Sequence, residues 1–411
     1  MRAELLSDAL GQLDDSLLEE ARIRRERTAP PRPAWGRWGA LAACLAVAVL
    51  AGSQLLPQKQ PPSVSAPGDL PLLTLGEGDT AARGYEGYMA YDIDELVNAN
   101  PWTPEARLDT LPVYRNAVTY DDNYRAQNAD FDRMEARLVS VAVQLELDPT
   151  LPVTDNTPSP EHQQAIRDKF AAVGDTVPEG YFDPDSLIME SDSIKLTVDE
   201  TLTVSIAFQP PVELPEEYDF THHATLEAKE AVAGHLSVEY AGLLSGMEQP
   251  ALNLTGGDRD IYGEQSYQIE FYDAGGSLED QVVNYNFNRV AFYCDDDGRL
   301  FLARVYAPDL SQKLGDYPVI TPAQAEQLLT DGNYTTSVPY QMPGLEHLGK
   351  VELVYRTGPH EKTYLPYYRF LVELPEEQRP GGMKDYGAYY VPAVEGQYIA
   401  SMPKWDGGFN Y

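Results

Sequence analysis

Residues Trp38–Leu56 read WGALAACLAVAVLAGSQLL, the one long uncharged run in a chain of 411 residues. A helix needs about 20 mostly apolar residues, at roughly 1.5 Å rise each, to cross the hydrocarbon layer. No charge occurs from Trp38 to Gln58, so the stretch is just long enough for one transmembrane helix. Arg22, Arg24, Arg25, Arg27, Arg32 and Arg37 crowd its N-terminal flank, while only Lys59 follows closely. Because basic flanks stay in the cytoplasm, the run predicts a single-pass protein of the cell membrane, N-terminus cytoplasmic and C-terminus extracytoplasmic. Trp35 and Trp38 would then lie at the inner interface, where amphipathic rings favour the headgroup level.

The competing reading is a cleaved signal peptide. It would need a short basic region before its apolar core, and here 37 residues with a helical pattern of their own come first. Leu41-Ala42-Ala43-Cys44 resembles a lipoprotein cleavage box but lies at the start of the run, so Cys44 reads as an intramembrane residue.

The segment 1–37 carries seven basic and seven acidic side chains. The net charge of −35, from 30 Lys and Arg against 65 Asp and Glu, therefore belongs to the remainder. A surface of that sign repels phosphate backbones and anionic headgroups, which argues against nucleic acid as a partner. The length predicts two or more folded units outside the membrane. Cys44 and Cys294, one in the membrane and one outside, do not pair, so the fold must rest on its core. Cys294 stands inside a strand pattern, RVAFYCDDDGRLFLARVY, and reads as a packed thiol.

Before the span, Leu5, Leu6, Ala9, Leu10 and Leu13 recur at helical spacing, and Leu17, Leu18 and Ala21 continue an apolar face. Residues 3–12 and 14–27 read as two short helices, the second capped by Asp14 or Asp15. Isolated helices below about 12–15 residues are marginal in water, so this face needs a partner or the membrane surface. Leu5, Leu6, Leu10, Leu13, Leu17 and Leu18 are the candidate partner-binding residues. The string Asp8–Ala21, DALGQLDDSLLEEA, resembles the cytoplasmic N-terminus of single-pass membrane proteins of Gram-positive, clostridia-like bacteria. Some of those resemble anti-sigma factors of the extracytoplasmic-function type, and the resemblance implies a cytoplasmic regulator, such as a sigma factor, as partner. The zinc motif of many anti-sigma factors, His-x-x-x-Cys-x-x-Cys, is absent, so the resemblance implies no zinc.

After the span, residues 57–84 are rich in Pro, Gly and Ser and read as a flexible stalk. Phe131, Met134, Leu138, Val141 and Leu145 recur at three and four spacing and predict a helix over 130–147. A second helix, 161–173, has Ser159 as N-cap and Pro160 at its first position. Ile194, Leu196 and Val198, then Leu202, Val204, Ile206 and Phe208, alternate with polar residues and predict a hairpin turning near Asp199-Glu200. The proline-rich stretch Gln209–Pro215 marks a boundary between a first module, 85–210, and a second, 215–411. The second opens with a helix over 224–244 and continues in strands near Leu252 and at 266–272, 283–294 and 300–306, with Asp296-Asp297-Gly298 as the last turn. Thr321-Pro322-Ala323-Gln324 is a capping box opening a helix that runs to Thr330, and strands at 351–355, 364–374 and 386–394 complete the sheet.

A short capped helix followed by a meander, over 316–411, resembles PepSY-like modules, small helix-on-sheet domains of exported proteins and protease propeptides. Segments around Met89–Asn116, 283–306 and 364–394 resemble one recurring group of clostridial membrane proteins whose function is not established, and imply topology more than chemistry.

The six histidines, His162, His222, His223, His235, His347 and His360, form no His-Glu-x-x-His pair and have no clustered cysteines beside them, so neither metal nor cofactor is expected. Asp295–Asp297 lacks the ligand spacing of a calcium loop. No Gly-x-Ser-x-Gly elbow or phosphate-binding glycine loop occurs, and no catalytic residue is assigned. Tyrosine is the one compositional excess, with 27 residues. Tyr367-Tyr368 and Tyr389-Tyr390 lie on strands, so each pair sends one ring inward and one outward. The outward rings are a candidate platform for a protein, peptide or glycan, set against the simpler reading that such rings suit strands.

Together these features predict an α+β protein, a single transmembrane helix bearing an extracytoplasmic ectodomain of helix-on-antiparallel-sheet modules. The expected function is regulatory or sensory and anti-sigma-factor-like, with the ectodomain as a binding domain. The alternative is a cell-envelope interaction or scaffold protein with no signalling role.

Overall fold

The computed structural model describes residues 70–75, 86–121, 125–357 and 361–407, all within the unit Lys59–Tyr411. β1 (Gly87–Ala90) and β2 (Thr110–Arg115) come first. α1 (Phe131–Gln144) follows. The Asp130 side chain accepts from the Arg133 amide at its start, and Met134, Leu138, Val141 and Ala142 are buried along one face. After β3 (Val153–Asp155), α2 (Pro160–Ala172) begins at Ser159, with Pro at the first position, where no amide is needed. β4 (Ser186–Glu190), β5 (Ile194–Asp199) and β6 (Val204–Val212) form a meander. Next come α3 (Leu226–Glu239), α4 (Ala241–Leu244), β7 (Pro250–Arg259) and β8 (Gln265–Asp273). α5 (Leu278–Phe287) starts at a reciprocal capping box between Ser277 and Asp280. β9 (Arg289–Cys294), β10 (Leu300–Tyr306) and β11 (Lys313–Pro318) lead to α6 (Pro322–Thr330), whose box joins Thr321 and Gln324. The short β12 (Thr335–Thr336) and β14 (Thr363–Tyr364) accompany the longer β13 (Leu348–Tyr355), β15 (Pro366–Gln378) and β16 (Lys384–Pro392).

These strands make three sheets. The largest has eight, in the order β3-β4-β5-β6-β10-β9-β8-β7. Leu138 and Val141 of α1, Val232 and Leu236 of α3 and Leu243 of α4 share one core with its Leu196, Ile206, Ile269 and Phe292. A five-stranded sheet runs β1-β16-β15-β13, with β12 also on β16, and β11-β2-β14 is a third. Alternation along β15 and β16 sends Tyr368, Phe370, Tyr389 and Val391 into a core with Val282, Phe287 and Leu329. The other face sends Tyr367, Leu371 and Tyr390 into a second core with Leu73, Val113 and Tyr317.

The architecture is mostly β, which corrects the α+β expectation of helix-on-sheet modules on a single transmembrane helix. The expected span, 38–56, and the helical segment 1–37 lie outside the described residues. Among the described residues no helix is long and apolar enough to cross a membrane. The longest, α1 and α3, have 14 residues each, about 21 Å against a layer of about 30 Å. The single-pass topology, the cell-membrane localisation and the inside–outside assignment of the termini therefore have no spanning element here. Within the expected stalk, Leu73 and Leu75 are buried while Leu72 stays exposed. Leu73 is buried and pairs with Ile399, its amide donating to the Tyr398 carbonyl at 2.7 Å. Gln209–Pro215 does not separate two sheets, since β6 runs to Val212 and pairs with β10. The expected strand 283–294 is a strand only from Arg289, because α5 occupies its first part. Ser277→Ala should remove the α5 cap and lower stability by about 1 kcal/mol, read as a lower urea midpoint at unchanged slope.

Candidate functional site

The segment between β1 and β2 stitches the two large sheets together. Val97 and Gly256 exchange backbone hydrogen bonds at 3.0 and 3.2 Å, and the Ala99 amide donates to Asn253 Oδ1 at 2.8 Å. Gly257 has φ +92°, and a Cβ there would stand 1.8 Å from the Glu95 carbonyl oxygen. α5 also bridges the sheets. Its Asn286 Oδ1 accepts from the Tyr355 amide of β13 at 2.9 Å, and its Tyr285 ring stands edge-on to Tyr272 of β8 at 5.3 Å. Between these ties lies a cleft of about 610 Å³, inside the ~300–1,000 Å³ range of small-molecule sites.

Strand register sets the wall on the five-stranded sheet. Glu352 on β13 lies opposite Arg369 on β15, which lies opposite Tyr390 on β16, so all three share a face. Arg369 donates to Glu352 Oε2 through Nε at 3.0 Å and Nη2 at 2.5 Å. Asn98 Nδ2 at 2.5 Å and Lys350 Nζ at 2.9 Å serve the other oxygen. Burial works to raise the Glu352 pKa, but Arg369 and Lys350 override it and hold the carboxyl down to about 2. Burial alone would lower the Arg369 pKa, and the carboxylate beside it lifts it well above its ordinary value. Above this pair, Glu86 accepts from Tyr88 at 2.7 Å and from Tyr390 at 2.8 and 2.9 Å. Burial first, then the Glu86 charge, pushes both phenols up. Arg356 reaches Glu361 at 3.2 Å and lies over the Tyr390 ring at 5.2 Å.

The opposite wall repeats the pattern on the eight-stranded sheet. Arg289 on β9 pairs in register with Tyr272, which makes Glu270 its diagonal neighbour. Arg289 Nη1 donates to both Glu270 oxygens at 3.0 Å, and Asn253 Nδ2 donates to the same carboxylate at 3.0 Å. The floor is Tyr285, 9% exposed, whose hydroxyl has no hydrogen-bond partner among the described residues. Burial raises its pKa, and the charges it feels come from both walls: Arg369 and Glu352, Glu270 and Arg289.

Of the residues expected from sequence, Tyr390 lines the cleft, and Tyr367 lies beneath Arg356 at 5.7 Å. Tyr368 and Tyr389 face the other way, donating to the carbonyls of Ile320 at 2.7 Å and Tyr340 at 3.0 Å. All four are buried. The rings do alternate, but both faces of the sheet are covered, so no outward platform forms. Leu5, Leu6, Leu10, Leu13, Leu17 and Leu18 lie outside the described residues. Sequence reasoning missed Glu270, Arg289, Glu352 and Arg369. Their signal was a charge set among apolar residues on strands, as in VELVY, YRFLV and QIEFY, where alternation turns it toward the interior.

Three exposed side chains, His223, Asp260 and Glu264, bring metal-capable atoms within 4.8 Å of one another. His223 Nε2 is 3.1 Å from Glu264, and its Nδ1 lies 3.3 Å from the Gln265 carbonyl. Cys294 is buried, with Sγ 3.6 Å from His222 Nδ1, and burial raises its pKa, away from a reactive thiolate. His235 stacks on Tyr218 at 4.7 Å. No protein-family model matches the chain, and no curated protein matches it.

Proposed function

We propose that the chain is a binding protein whose cleft holds a small polar ligand, the recognition part of a regulatory, sensory or scaffold system. The observation that carries this reading is the Tyr285 hydroxyl. Its residue is nine-tenths buried, while its hydroxyl has no hydrogen-bond partner among the described residues and lines a cleft whose two walls are pinned by ion pairs, so a group that both donates and accepts is held in place and left for a ligand. Binding asks for fixed donors and acceptors, whereas general acid–base catalysis asks for a group that exchanges its proton near neutral pH. Here the shifts run away from neutrality, with Glu352 down to about 2 and Tyr88, Tyr285 and Tyr390 pushed up. Neither histidine nor cysteine is among the described residues lining the cleft.

The test is titration calorimetry of the full chain and of Tyr285→Phe with a panel of small polar compounds. Loss of the hydroxyl should weaken binding roughly ten-fold, the worth of one hydrogen bond of about 1.4 kcal/mol. Stability should stay within about 0.5 kcal/mol, because no protein contact is removed. Equal affinity for the two proteins would reject the cleft as the site. The regulatory half of the reading, a partner such as a sigma factor on Leu5–Leu18, is tested by capture with the full chain beside one lacking residues 1–27. An unchanged set of captured proteins would remove it.

A further inference from the structure

We infer that the ligand of this cleft is a neutral polyhydroxylated molecule, a short saccharide. The inference rests on reading the cleft as a ligand site. Its walls and the groups directly behind them balance in charge. Glu86, Glu270, Glu352 and Glu361 stand against Arg289, Arg356, Arg369 and Lys350. An anion entering here must compete with carboxylates already bonded to the arginines. A cation must compete with guanidinium groups already bonded to Glu270 and Glu352. Either would add a net charge beside groups whose charges are already paired, in a partly desolvated place. The field of the rest of the chain, at a net −35, adds a long-range penalty for anions.

A neutral hydroxyl meets none of these costs, because it donates and accepts at once. The cleft keeps both kinds of group in reach after its own pairs are made. Arg289 spends Nη1 on Glu270, which leaves the other face of its fork. Glu86 and Glu270 are acceptors with lone pairs to spare, each accepting only two or three bonds. Tyr285 between them can donate or accept. Planar forks and carboxylates held at fixed spacing suit pairs of neighbouring hydroxyls, which a sugar ring presents and a simple alcohol does not. The volume, about 610 Å³, accommodates more than one ring.

The experiment titrates the full chain with three neutral trisaccharides, maltotriose, xylotriose and tri-N-acetylchitotriose. Three charged probes, glucose 6-phosphate, citrate and spermidine, are run beside them. At least one trisaccharide should bind, with affinity changing less than two-fold between about 50 and about 500 mM NaCl, since no net charge is paired. Tyr285→Phe should weaken that binding roughly ten-fold. Should a charged probe bind in a Tyr285-dependent way while no trisaccharide does, the saccharide inference is overturned and the cleft remains a site. If none of the six probes binds, both readings fall. Binding of a trisaccharide that Tyr285→Phe leaves untouched places it elsewhere and also overturns the inference.

Discussion

Arg369→Met should lower the unfolding free energy at pH 7 by about 3–5 kcal/mol, the usual cost of removing one partner from a buried ion pair. Glu352 is only 2% exposed in its side chain and would be left with Lys350 and Asn98 as its remaining partners. Because Lys350 remains, the lower end of that range is expected. In the intact protein the Glu352 pKa is depressed from 4.5 to about 2. A carboxyl whose folded pKa lies below its unfolded value contributes fully above the unfolded pKa and loses that contribution as pH falls through the folded one. The window is therefore about pH 4.5 down to about 2, and the term is on the order of 3 kcal/mol. Without Arg369 the depression shrinks, so the acid loss is smaller and confined to the upper part of the window. Urea unfolding at pH 7, 5 and 3 reads both effects. The double variant Arg369→Met with Glu352→Leu should recover most of the loss, because no buried charge is then unpaired. An Arg369→Met protein within 1 kcal/mol of the parent at pH 7 would show that Glu352 does not depend on this partner.

The same pair explains what was legible in the sequence. Helices with a strong three-and-four pattern and a cap declared themselves: α1 buries Met134, Leu138 and Val141 of the residues its spacing singles out, leaving Phe131 exposed at its first turn and Leu145 half-buried at its cap, and α2 and α6 begin at Ser159 and Thr321 as their caps require. α5 did not. Its QVVNYNF alternates as a strand would, and the only contrary signal was a box formed by Ser277 and an Asp rather than a Glu or Gln. That misreading hid the floor of the cleft, since Tyr285 on a strand would have belonged to the sheet. The proline run at Gln209–Pro215 also misled. It reads as a boundary between two modules, yet β6 continues to Val212 against β10 with a register shift between Leu300 and Leu302 that absorbs the irregularity. The site itself was partly visible as charges within apolar strands, but not assignable. Glu352 and Arg369 are 17 residues apart on neighbouring strands, and Glu270 and Arg289 on another sheet meet them through the segment around Val97 and through α5. Long-range pairing of that kind leaves no trace in local periodicity.

That segment supports the second large effect. Gly257→Ala should cost about 3 kcal/mol or more and should weaken ligand binding in the cleft, whereas Gly174→Ala should cost only about 1 kcal/mol and leave binding unchanged. Both glycines hold positive φ, +92° and +77°, so the intrinsic penalty of the left-handed region is shared between them. Their surroundings differ. At Gly174, just past α2, nothing lies within 4 Å of an added Cβ, while at Gly257 the Cβ would overlap the Glu95 carbonyl oxygen at 1.8 Å. That oxygen is backbone, held in the stitch that Val97 and Gly256 make and that the Arg259–Glu95 ion pair at 3.3 Å reinforces. It cannot swing aside as a side-chain tip would, so β7 must move away from the segment and carry Asn253, the partner of Glu270, with it. The difference between the two variants, about 2 kcal/mol in urea unfolding, isolates the close approach from the backbone conformation. Equal losses at both positions would mean the sheets do not touch there, and a Gly257→Ala protein with intact binding would mean the cleft does not depend on the stitch. The close approach of the two sheets beside the cleft thus depends on the absence of a single side chain.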